Sequence, residues 1–221
     1  YASTPKLAMS YQLMYPSVLG LLLPGARPEI RLFLARYWCK FGYGKVQKEV
    51  KKIAADLDVT VAVAMTSLSY LANNGYLSKG SFVSEEGDRV SCYLLNPNLE
   101  QQLSDAGACQ YRSLIDDLLT VDSGRRSKRR HALNLSCRLL MAILLNNADE
   151  FGIVEGLGLA ELSKLTGMNK DRLDSNLVIL KEAGYVRSHI AGITCGYLFG
   201  KRPRMYMLNI RHASFTQEVK F

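Results

Sequence analysis

The chain has 221 residues, a formal net charge of +8 and a sequence pI near 9.3. Hydrophobic residues make up 48% and charged residues 22%, which supplies a packed core and excludes wholesale disorder. The longest apolar runs, 18–23 and 139–145, fall far short of the ~20 residues a membrane-spanning helix needs.

In chain order, residues 1–26 form an N-terminal arm carrying Pro5, Pro16 and Pro24 among several Leu and Tyr residues. A helix is predicted over 28–40, with Ile30, Phe33, Leu34, Tyr37 and Trp38 at helical spacing and Pro28 in its first turn. A short helix follows over 48–57, then a tight turn through Asp58. Thr60 is the expected N-cap of a third helix running to about Asn73, which Gly75 ends in a left-handed conformation. The stretch 76–96, rich in Val, Phe and Tyr and broken by Glu86-Gly87-Asp88, reads as a β-hairpin. Tyr111, Leu114, Ile115, Leu118 and Leu119 predict a linking helix, followed by an exposed basic loop at 125–130. Three further helices are expected at 136–147, at 159–166 and from Asn169 to about Ala183. Gly167 turns the chain between the last two, and a longer hairpin covers 185–210.

This order repeats itself. Leu68, Leu71, Gly75 and Tyr76 recur at one constant spacing as Leu177, Leu180, Gly184 and Tyr185. Ile53, Leu57 and Val59 meet Leu162, Thr166 and Met168 in the same register. Phe41-Gly42 and Tyr93-Leu-Leu-Asn96 return as Phe151-Gly152 and Tyr206-Met-Leu-Asn209 with small insertions. Register kept across the whole unit indicates two related domains. The divisions are an arm at 1–26, a first domain at 27–103, a linker helix and basic loop at 104–133, a second domain at 134–215 and a tail at 216–221.

Three helices with a tight turn before the third, then a two-stranded ribbon, resemble the winged helix-turn-helix superfamily in two tandem copies. The resemblance rests on Ile53-Ala-Ala-Asp-Leu-Asp-Val59 and Leu162-Ser-Lys-Leu-Thr-Gly-Met168, where Ala54 and Ser163 are small enough for close helix contact. Copy one departs at Asp58, where many members have Gly; Asp tolerates positive φ. The resemblance implies a mainly α fold with small β-hairpins. It also implies that the third helix enters the major groove and the hairpin, or wing, touches the DNA backbone or minor groove. Tandem winged helices are similar to some plasmid replication initiators, transcription regulators and chromosome-organising accessory proteins.

Enzyme signals are weak. Gly156-Leu-Gly158 lacks the Gly-Lys-Ser/Thr ending of a phosphate loop. Asp116 and Asp117 are neighbours on a helix and point about 100° apart, so they do not converge on one substrate; a solvated face is expected. The five cysteines, Cys39, Cys92, Cys109, Cys137 and Cys195, are irregularly spaced, and with His131, His189 and His212 they form no metal-binding spacing. No catalytic residue, cofactor or metal is therefore assigned, and the protein is expected not to be an enzyme. The cysteine pattern suits a reducing compartment. With no charged-then-apolar leader visible, the expected location is the cytoplasm, on the nucleoid if bacterial. The opening Tyr1 leaves room for residues before it.

Nucleic-acid signals are stronger. Lys48, Lys51 and Lys52 lie in and just before the second helix of copy one, the element that crosses the DNA backbone in this superfamily. With Ala64, Leu68 and Leu71 inward, the third helix turns Ala62, Met65, Thr66, Ser69 and Asn73 outward. That uncharged face suits base edges or a protein surface. In copy two, Leu173, Leu177 and Leu180 point inward and leave Asp171, Ser175, Val178 and Glu182 outward, flanked by Lys170 and Arg172. Arg125, Arg126, Lys128, Arg129 and Arg130 of the linker, and Lys201, Arg202 and Arg204 of the second hairpin, complete the basic set. The first hairpin tip, with Glu85, Glu86 and Asp88, is acidic instead. The expected function is sequence-selective binding of double-stranded DNA in transcription regulation. A replication initiator or a protein-interaction adaptor are the alternatives. A homodimer through the arm or the linker helix is a further expectation.

Overall fold

A computed structural model describes residues 15–42, 44–83, 89–97, 99, 109–119, 133–190, 192, 204–213 and 215. The tip of the first hairpin, the linker run Arg125 to Arg130, and Lys201 and Arg202 lie outside the described residues. The elements are α1 (Tyr15–Gly20), α2 (Pro28–Phe41), β1 (Val46–Gln47), α3 (Val50–Asp56), α4 (Val61–Asn73), β2 (Leu77–Val83) and β3 (Arg89–Leu95). They continue with α5 (Arg112–Leu119), α6 (Leu135–Asn146), β4 (Ile153–Glu155), α7 (Leu159–Thr166), α8 (Lys170–Glu182), β5 (Val186–Ile190) and β6 (Met205–Leu208). The fold is mixed: helices accompany two small antiparallel three-stranded sheets. No single described helix is long and apolar enough to cross a membrane. The chain separates into two compact units, with boundaries after Val18, after Pro28 and after Ala108.

The earlier unit is built around α2. Its predicted core stripe, Ile30, Phe33, Leu34, Tyr37 and Trp38, is buried, but so are Arg31, Leu32, Ala35 and Arg36. A helix enclosed on nearly every side is a core helix rather than a surface amphipath. Ile53, Ala54 and Leu57 of the α3 region and Ala64, Leu68 and Leu71 of α4 are also buried, with α3 packed on α4. The sheet order is β1-β3-β2, with Val46 opposite Tyr93 and Leu77 opposite Leu95.

The later unit repeats the plan. Every residue from Leu139 to Leu145 of α6 is buried, and α7 and α8 pack on it. The sheet order is β4-β6-β5, and Val154 opposite Tyr206 matches the Val46–Tyr93 pair. The linking helix is present as α5. Its apolar face of Leu114, Ile115, Leu118 and Leu119 is buried, and it packs on α6 of its own chain. The Tyr111 hydroxyl donates to the Asp149 carbonyl at 2.6 Å.

The sheets differ from the expected two-stranded hairpins. β1 and β4 each add a third strand ahead of α3 and α7. Two or three residues are too few to show the alternation that marks a strand in sequence. Helix α1 inside the arm is also new, and Val18, Leu19, Leu23 and Ala26 near it are buried.

Candidate nucleic-acid interface

In the earlier unit, α3 and α4 meet at 106° across the turn 57–60. Asp58 takes the left-handed conformation there, at φ 51°. Thr60 caps α4 as expected, its Oγ1 accepting from the Val63 amide at 3.3 Å. The turn is held from inside the unit by Arg36, whose Nη1 donates to the carbonyls of Leu57 at 3.1 Å and Asp58 at 3.2 Å. Nothing in the sequence signalled that role, because an arginine on a core helix has no periodic signature. With Ala64, Ser67, Leu68 and Leu71 buried, α4 presents Val61, Ala62, Met65, Thr66, Ser69 and Asn73 to the outside.

The order helix, left-handed turn residue, capped helix recurs at α7 and α8 with different chemistry. Gly167 occupies the left-handed position at φ 70°. The turn is braced by short side chains: Ser163 Oγ donates to the Met168 carbonyl at 2.6 Å, and Thr166 Oγ1 to Leu162 O at 2.6 Å. Asn169 caps α8, accepting from the Arg172 amide at 3.0 Å. Asn176 lies buried behind the helix. Its Nδ2 points at Met168 Sδ, 3.1 Å away, and its Oδ1 accepts from Cys137 Sγ at 3.2 Å. Burial pushes the Cys137 thiol up to about 11. Gly75 and Gly184 end the two exposed helices at φ 73° and 81°. Asn96 and Asn209 lock those ends by donating to Gly75 O at 2.9 Å and Gly184 O at 3.0 Å. In the later unit His212 adds a bond between its Nε2 and Ala183 O, at 2.9 Å, and stacks on Tyr185.

The expected DNA-facing residues divide by environment. Ala62, Thr66, Ser69, Lys51, Lys52, Lys170 and Ser175 are exposed. Lys51 and Lys52 form no ion pair among the described residues. Lys48 is engaged, its Nζ 2.6 Å from Asp56 Oδ2 and 5.3 Å from the centre of the Phe41 ring. Arg172 is tethered through Nη2 to Ser136 Oγ at 2.5 Å, and Ser175 Oγ donates to Asp171 O at 2.8 Å. Arg204 is half-buried beside Tyr206, whose phenol is pushed up by burial and drawn back down by the Arg204 guanidinium. Asp171, Asp174, Val178 and Glu182 complete the outward side of α8.

The groups considered for chemistry have structural partners. The Gly158 amide donates to Glu161 Oε2 at 3.0 Å at the start of α7, and Gly156 turns the chain just before it. Asp116 lies 3.7 Å from Arg112 Nε. Asp116 and Asp117 are half-buried rather than on a solvated face, and burial raises the Asp116 carboxyl above its ordinary range. Neither a family model nor a curated protein matches the chain.

Proposed function

We propose that the chain is a sequence-selective double-stranded DNA-binding protein, a transcription regulator made of two tandem winged helix-turn-helix domains. The observation that carries this reading is the α3–turn–α4 unit. Its 106° crossing, short turn and outward-facing second helix suit a helix-turn-helix, and exposed Lys51 and Lys52 stand on its first helix. Binding makes no covalent bond. Lys51, Lys52, Lys170 and the basic run Arg125 to Arg130 displace counterions from phosphates, while α4 meets base edges in the major groove. The hairpins β2–β3 and β5–β6 serve as wings.

The test is selection from a random duplex pool with the full chain, followed by a salt titration on the enriched sequence. A defined motif, with affinity falling by orders of magnitude over roughly a fourfold rise in salt, supports the proposal. Absence of enrichment, or a salt-insensitive complex, counts against it.

A protein-contact role is the second reading for the later unit. It is favoured by Asp171 and Asp174 on the outward side of α8, where carboxylates repel phosphates. Exposed Ile190 and Met207 on the sheet, and Phe151 at 70% exposure, add apolar surface in the same unit.

A further inference from the structure

We infer that α4 reads thymine through its 5-methyl group, an assignment that rests on the DNA-binding reading above. Base edges in the major groove are read by a small code. Arg or Lys pairs with guanine, Asn or Gln with adenine, Asp or Glu with cytosine, and apolar groups meet the thymine methyl. Along 61–72 the helix carries none of Arg, Lys, Asn, Gln, Asp or Glu. What it exposes is Val61 at 41%, Met65 at 57%, Ala62, Thr66 and Ser69, a set of small or apolar side chains with two hydroxyls. Asn73 stands at the far end, and the following Asn74 carboxamide is occupied by the Tyr70 carbonyl at 2.8 Å.

The uncharged face is not imposed by packing. The buried positions of α4, Ala64, Ser67, Leu68 and Leu71, correspond in order to Leu173, Asn176, Leu177 and Leu180 of α8, also buried. The outward positions that correspond to Val61, Ala62 and Met65 carry Lys170, Asp171 and Asp174. The same scaffold therefore tolerates charge on this side, and α4 lacks it. Lys51 and Lys52 on α3 give the helix-turn-helix exposed positive charge, which complements phosphates around a groove and which an apolar protein partner does not require.

The test measures full-chain affinity for three duplexes: alternating dA-dT, the same sequence with deoxyuridine in place of thymidine, and alternating dG-dC. Deoxyuridine removes the methyl and leaves the base pairing and the phosphates unchanged. Affinity for the deoxyuridine duplex should be lower by roughly fourfold for each methyl that α4 covers, from about 0.8 kcal/mol per buried methyl-sized group. The salt slope should be the same on both. The double variant Val61→Ala, Met65→Ala should bring affinity for the dA-dT duplex down toward that for the deoxyuridine duplex. Both positions are exposed, and an unchanged Trp38 emission spectrum checks that the fold is kept. Equal, steeply salt-dependent binding to the thymidine and deoxyuridine duplexes overturns methyl readout and leaves DNA binding standing. No binding to any of the three at low salt overturns both, and gives the α4 face to a protein partner.

Discussion

Replacing Arg36 by Met removes the brace on the turn between α3 and α4 while keeping an unbranched apolar stem in the core. Arg36 is 9% exposed, and its Nη1 serves two carbonyls, at 3.1 and 3.2 Å. A hydrogen bond from a charged group contributes about 1.5–3 kcal/mol; the Leu57 carbonyl left behind loses its partner in a buried setting, whereas the Asp58 carbonyl is partly open to water. Removing a buried cation returns part of that, because its desolvation cost disappears. The net loss should be about 1–2 kcal/mol. The assay is urea unfolding followed by Trp38, the chain's single tryptophan, which is buried in the same helix. With a urea dependence of about 2 kcal/mol per molar, the Trp38 midpoint should fall by roughly 0.5–1 M. Arg36→Lys, which can still donate to one carbonyl, should fall between Met and the parent. A Met variant with an unchanged or higher midpoint would refute the idea that Arg36 holds the turn.

Gly167→Ala should destabilise the later unit by about 1–2 kcal/mol, since alanine pays the left-handed penalty at φ 70°, read by urea unfolding followed by far-ultraviolet dichroism. Asp58→Gly at the corresponding turn should leave the Trp38 midpoint unchanged or slightly raised, because strain relief offsets the extra freedom of the unfolded chain. A protonated thiol is inert, so alkylation of Cys137 in the folded chain should be slow near about pH 8. Cys137 is fully buried, so it should be modified only as urea opens the later unit, while exposed Cys39 reacts first in the folded chain; peptide mass spectrometry separates the two. Changing Lys51 and Lys52 together to Gln should weaken binding to all duplexes alike and lower the salt slope by about 2, and an unaltered slope would remove α3 from the backbone contact.

Much of the local architecture was legible in the sequence. The spacing of Leu68 and Leu71, and of Leu177 and Leu180, marked the inward faces of α4 and α8, and all four side chains are buried. Thr60 and Asn169 marked the caps, and Gly75 and Gly184 the helix ends. Exposure of Ala62, Thr66, Ser69 and Ser175 followed from those inward faces by the 100° step of the helix. These features belong to one helical turn or one tight turn at a time, so neighbours in the chain are enough to specify them.

Other features were decided only when distant segments met. Val46 and Val154 became strand residues because Tyr93 and Tyr206 lay ready to pair with them; alone, such short stretches have no strand character. Arg36 became a turn brace, Lys48 was drawn to Asp56, and Arg172 was tethered to Ser136. The linking helix presented its leucines to α6, although the same periodicity would have suited a second chain. Asn176, on a face the leucine pattern left to apolar residues, is accommodated by Met168 and Cys137. A hydrogen bond or ion pair depends on an interatomic distance of a few ångströms between segments that can lie dozens of residues apart. Periodicity along the chain carries no record of that distance, and packing alone determines it.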